Sequence, residues 1–176
     1  MTGIIKSSAQ GFQPPAEGKA VVYFTRVTSY GFAVNFEYFH NDQYIGVFKR
    51  SNYMRFELDP GEQLLWASSE NRVFIEADLE EGGTYIIMVD VIMGAWKARV
   101  GLRPITVHDH EDFERAKRLV IEKSPIVVQQ RHIEGRNRKL AKFIDKQLEL
   151  YKERKQKGES FRKISPDMKI PVERLI

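Results

Sequence analysis

Cysteine does not occur in this 176-residue chain. Its absence excludes a disulfide framework, a thiolate metal site, a lipid-bearing cysteine and a thiol nucleophile, so packing must hold the fold together. Histidine is scarce, with four in all. Serine hydrolase chemistry has little to work with, because Ser29, Ser51, Ser68 and Ser69 stand outside any Gly-x-Ser-x-Gly elbow and no motif singles out a histidine to activate one. A phosphate loop is missing as well. Gly82-Gly83 runs into Thr84-Tyr85 and a strand, not into Lys-Ser/Thr and a helix. Long apolar runs are also absent. Stretches such as Ile86 to Val89 fall far short of the roughly 18 residues that span a bilayer, so no transmembrane segment is expected. The first seventeen residues hold one Lys and no apolar centre, which is not a signal-peptide pattern. With Ser7-Ser8, Gly11 and Pro14-Pro15 they read as a flexible lead-in over 1–17, and the chain as written reads as cytoplasmic.

Charge is present but segregated. Met1 to Val100 carries nine Lys and Arg against twelve Asp and Glu, while Gly101 to Ile176 carries nineteen against twelve. A basic block on one segment attracts phosphate, anionic lipid or an acidic protein surface.

From Gly18 onward, apolar alternation is broken by turn residues at short intervals, the pattern of an antiparallel β-sandwich of seven or eight strands over 18–107. Strands are predicted at Ala20 to Thr25, Ala33 to His40, Tyr44 to Lys49, Tyr53 to Leu58, Gln63 to Ser68, Val73 to Leu79 and Tyr85 to Met93. The last is the most apolar and belongs inside its sheet. Trp96 to Val100 and Ile105 to Val107 read as an interrupted edge strand, where Pro104 is tolerated. Asn41-Asp42 marks a tight hairpin, Gly46 a bulge or close backbone approach, and Pro60-Gly61 a type II turn. Phe39 and Phe74 fall out of phase with their strands. They either form an exposed patch or lie under an added helix, and the second is preferred because monomers seldom leave large apolar patches bare.

The period then lengthens to 3.6. Asp109 is placed to cap a short helix within 108–125 that buries Phe113, Ala116 and Val120 and ends at Lys123 and Pro125. Ile126 to Gln130 reads as a linker. A basic amphipathic helix is predicted from Arg136 to Lys157 with Gly158 beyond its end, followed by an irregular tail; 126–176 is thus a helical extension.

In order along the chain, Gly18-Lys19-Ala20-Val21-Val22-Tyr23-Phe24 with Arg26, Asn41-Asp42-Gln43-Tyr44-Ile45-Gly46, Tyr53 with Asp59-Pro60-Gly61, and Leu79 with Gly82 and Thr84-Tyr85 carry a likeness. Together they resemble the bacterial domain of unknown function 2846 family, over Gly18 to about Lys123. The resemblance implies an envelope location for many relatives, no assigned activity and no catalytic residues. This chain departs from it in lacking the leader and the lipid-bearing cysteine, and in its extension.

Two sets of residues on the long helix are candidates for function. Leu140, Phe143, Ile144, Leu148 and Tyr151 form an apolar stripe suited to a protein partner or a second copy of the chain. Arg136, Arg138, Lys139, Lys142 and Lys146 are the alternative, an anion or nucleic-acid contact. Peripheral membrane contact is less expected, from a moderate stripe on one helix. The weak metal candidates are His108 and His110, two residues apart beside Asp109, Glu111 and Asp112; two ligands are not a site, and no cofactor is expected. The reading is a non-enzymatic binding or structural module.

Overall fold

The computed structural model of the chain describes residues 4–6, 11–28 and 34–176. Its strands are β1 (Ile4–Lys6), β2 (Ala20–Arg26), β3 (Phe36–His40), β4 (Gln43–Phe48), β5 (Asn52–Leu58) and β6 (Gly61–Ser68), then β7 (Arg72–Leu79), β8 (Thr84–Met93) and β9 (Ala98–Ile105). Helix α1 (His110–Glu122), β10 (Ile126–Val128), α2 (Gln130–Gln156) and β11 (Arg162–Ile164) follow, with 3-10 turns at Pro166–Met168 and Val172–Arg174. Two sheets face each other, one in the order β5-β2-β8-β9 and the other β11-β7-β6-β3-β4. Alternate side chains of the inner faces, among them Phe24, Tyr38, Leu65, Ile75, Ile87 and Leu102, meet in the main core.

The fold is mainly β, as its alternation predicts, but neither purely antiparallel nor limited to seven or eight strands. The sheets hold five and four strands, and a ribbon pairs β1 with β10. β2 runs parallel to β8, and β11 parallel to β7. The physical reason is that a period of two marks a strand without stating the direction of its neighbour, and three-residue strands are too short to show a period at all. Thus Ile126–Val128, read as a linker, is a strand, and the tail read as irregular contains β11. The interrupted edge strand is one continuous edge strand, β9, which keeps Pro104. Ser29 and Ala33 lie outside the described residues.

Local expectations hold closely at the turns. Asn41 has φ +50° and Gly61 φ +91°, as the hairpin and the Pro60-Gly61 turn require. The β3–β4 register shifts between Tyr38 and Phe39 opposite Gly46, where a Cβ would stand 2.6 Å from the Met54 sulfur. Within the expected lead-in, residues 11–17 lie on the sandwich. Gly11 donates its N–H to the Val120 carbonyl at 2.9 Å, and the Phe12 ring meets Tyr23 edge-on at 4.9 Å.

The segment after β9 wraps the sandwich. α1 covers the outer face of the four-stranded sheet, burying Phe113, Ala116, Leu119 and Val120 against Val21, Tyr53 and Ile86. β10 crosses beside β4 and β5, where the two sheets end, and Ile126 joins the core. α2 then crosses the outer face of the other sheet and ends in a Schellman motif, Glu159 N–H to Arg154 O at 3.1 Å and Gly158 N–H to Lys155 O at 3.0 Å. β11 extends the β7 edge and inserts Ile164 into the core. Finally Ile170 is buried and donates to the Thr84 carbonyl at 2.8 Å, and the Arg174 guanidinium lies 5.1 Å from the Phe113 ring of α1, where the circuit began. The extension is a belt around the sandwich.

Candidate functional site

The apolar stripe of α2 faces inward. Leu140, Phe143, Ile144, Leu148 and Tyr151 pack on Phe39, Tyr44, Val47, Trp66 and Phe74, so the two out-of-phase phenylalanines do lie beneath a helix. Phe39 stacks on Trp66 at 3.9 Å and Tyr151 meets Phe74 at 5.3 Å. Polar groups fasten both ends. Asn137 accepts the Tyr44 N–H at 2.8 Å, capping the free edge of β4, and Arg136 pairs with Glu37. Near the other end the Lys155 ammonium, and then the Tyr151 hydroxyl donating at 2.7 Å, hold the Glu76 carboxyl below its usual range. While α2 stays docked, the stripe assigned to a partner is engaged inside the chain.

The basic set divides. Arg136 belongs to the docking face, with its guanidinium 5.7 Å from the Tyr44 ring. Arg138, Lys139, Lys142 and Lys146 are exposed, and none forms an ion pair among the described residues.

His108 and His110 are both exposed at the start of α1. Among the described residues, no group of three or more Asp, Glu or His is placed to hold a metal ion. The neighbouring acids have other partners: Asp109 accepts the Thr106 N–H at 2.8 Å, and Asp112 binds Arg103 together with Asp90. A cleft of about 520 Å³ lies where α2 ends over β7 and β11, lined by Glu62, Glu76, Asp78, Tyr151, Lys155 and Lys163. Glu76, Tyr151 and Lys155 bind one another there as part of the α2 docking.

A different surface comes from the topology. Connections 49–51, 69–71 and 94–97 fall at one end of the sandwich together with the end of β2 and the start of β3, because strands β2, β4, β6 and β8 run toward it. Beneath this loop end Arg26 is fully buried, donating to the Val34 carbonyl at 2.8 Å with its guanidinium 4.9 Å from the Phe36 ring. Burial holds the Arg26 pKa below its ordinary value. β8 continues for five residues past Met88, its last residue paired with β2, at Thr25. The hairpin it forms with β9 rests on the β6–β7 turn, where Ser69 donates to the Ala98 carbonyl at 3.0 Å and Asn71 bonds both backbone groups of Val100 at 2.9 Å. Beyond those props stands the tip. Ile92 is 52% exposed, Met93 47% and Trp96 95%, and Trp96 makes no hydrogen bond or ring contact among the described residues. A depression of about 490 Å³ beside it is lined by Val34, Asn35, Ser68, Glu70, Trp96 and Lys97.

Sequence reasoning placed Trp96 at the start of an edge strand. The signal was available: Gly94-Ala95-Trp96-Lys97 between two apolar runs is a four-residue hairpin loop, and a loop position has no strand phase that would bury an indole. Among the described residues, no helix is long and apolar enough to cross a membrane. Comparison of the chain with models of known protein families and with curated proteins finds no match.

Proposed function

We propose that this chain is a non-enzymatic binding module, a belted β-sandwich that presents its loop end, and not the apolar face of α2, to whatever it binds. One observation carries the reading. The chain has two tryptophans; Trp66 is fully buried in a ring stack, while Trp96 stands 95% exposed at the tip of a braced hairpin with two half-exposed aliphatic neighbours. Large aromatic side chains are the usual anchors of recognition surfaces, and leaving one in water costs stability that a binding role offsets. The apolar stripe of α2 supports the same reading by its position, since a face already packed on a sheet is closed to a second molecule. A second reading rests on Arg138, Lys139, Lys142 and Lys146, whose exposed charges form no ion pair among the described residues and suit a polyanion such as nucleic acid.

One comparison tests both. The full chain, Trp96→Ser with Met93→Ser, and Arg138→Gln with Lys142→Gln are each used to capture material from a detergent-free lysate, with protein, lipid and nucleic acid assayed. Loss confined to the hairpin variant is the expected result. Equal capture by all three, or loss confined to the helix variant, would overturn the loop-end reading.

A further inference from the structure

Taking the loop end as the contact surface, and so resting on that reading, we infer that its occupant is an anionic lipid surface into whose interfacial layer the hairpin tip inserts. Three observations point there. The first is shape. The tip is convex, and its three large apolar side chains offer about 400 Å² at most, roughly half of what each side of a stable protein interface buries. Interfacial insertion needs no such area, and tryptophan favours that depth because its ring is apolar while its N–H stays wet. Trp96 has an indole N–H that no described residue accepts.

The second is charge. At the loop end the exposed ionised side chains are Lys49, Arg50, Lys97 and Arg99 against Glu70, which pairs with Lys97 at 3.2 Å. At the opposite end the connections expose Asp42, Asp59, Glu80, Glu81 and Asp109, of which Asp59 pairs with Lys19 at 2.6 Å and Glu80 with Lys169, so the acids still outnumber the lysines beside them. The sandwich is therefore polar along its strands, cationic where the apolar tip stands and acidic where it does not. An anionic surface orients such a body tip first. The third is the pairing of the two signals, since a single weak apolar anchor holds only marginally and a cationic patch beside it makes attachment stable.

The two tryptophans make the test direct. Trp66 is buried in either state, so a blue shift of the emission on adding vesicles reports Trp96. Full-length protein is titrated with vesicles of phosphatidylcholine alone and of phosphatidylcholine with phosphatidylserine. The expected result is a blue shift and co-sedimentation on the anionic vesicles, at least about tenfold weaker on the neutral ones and weakened by added salt. Trp96→Ser should lower partitioning about tenfold or more with an unchanged thermal unfolding curve, and Lys97→Gln with Arg99→Gln should lower it on anionic vesicles only. An unshifted spectrum at every lipid concentration would overturn the inference, as would binding that survives Trp96→Ser but is lost in Arg138→Gln with Lys142→Gln. If vesicles leave the spectrum unchanged while the hairpin variant still loses a captured protein, the lipid inference fails and the loop-end reading stands.

Discussion

Tyr53 is buried under α1, and its hydroxyl donates to the carbonyls of Lys123 at 3.1 Å and Val120 at 3.4 Å. Burial, with a smaller push from Tyr23 and against the pull of Arg55, raises its pKa to about 12. A tyrosine in the unfolded chain ionises near 10, so the stability tied to the neutral hydroxyl is fully present below about pH 10 and is lost as pH rises through about 12. Tyr53→Phe should therefore flatten the alkaline fall in stability by about 1.4 kcal/mol per pH unit across that window, and cost about 1 kcal/mol at neutral pH. Urea unfolding at a series of pH values measures both, and an unchanged alkaline slope would refute it. At this scale the sequence was most legible where backbone geometry restricts the residue type. Gly46, Pro60-Gly61 and Asn41 sit where their chemistry requires. The position of Arg26 was not legible, because burying a guanidinium runs against the ordinary partition of that side chain and depends on the surrounding fold.

Among the elements, α2 is the clearest case of a pattern read correctly in period and incompletely in destination. Its stripe was visible as i, i+3 and i+4 spacing, and the phase of Phe39 and Phe74 had already indicated a sheet face in need of cover. The helix begins at Gln130, earlier than predicted, because Ile133 and Asn137 give its first turns a packed and hydrogen-bonded side that outweighs the roughly 1 kcal/mol cost of Gly135 within a helix. The element's contribution can be measured. Phe143→Ala should destabilise the protein by about 2–3 kcal/mol, since the ring is partly buried among Phe39 and Trp66, while Arg138→Gln on the opposite side should stay within about 0.5 kcal/mol. Equal midpoints for the two variants in chemical denaturation would mean that the helix is not held by this face. β10 and β11 were illegible for a different reason: three residues give no period, and their pairing is decided by distant partners.

For the whole molecule, the belt should make one cooperative body of what the sequence divides into a domain and an appendage. A chain ending at Ser160 would lose Ile164 and Ile170 from two separate cores, at about 2–4 kcal/mol each, which is a large share of a typical total of 5–15 kcal/mol. The expected outcome is a protein that melts far below the full chain or aggregates through the bare β7 edge. In the full chain, far-ultraviolet circular dichroism and Trp66 emission should report the same melting temperature; a helix signal that melts first would divide the body again.

The closing of that belt also sets a clock on synthesis. Arg162 pairs with Ile75, so the outer edge of the five-stranded sheet stays unpaired while the ribosome adds the residues between them. At about 5–20 residues per second this takes on the order of ten seconds, far longer than a hairpin needs to form. The nascent sandwich waits with an open edge for a time fixed by translation, and the last turns of the belt end that exposure only when they leave the ribosome.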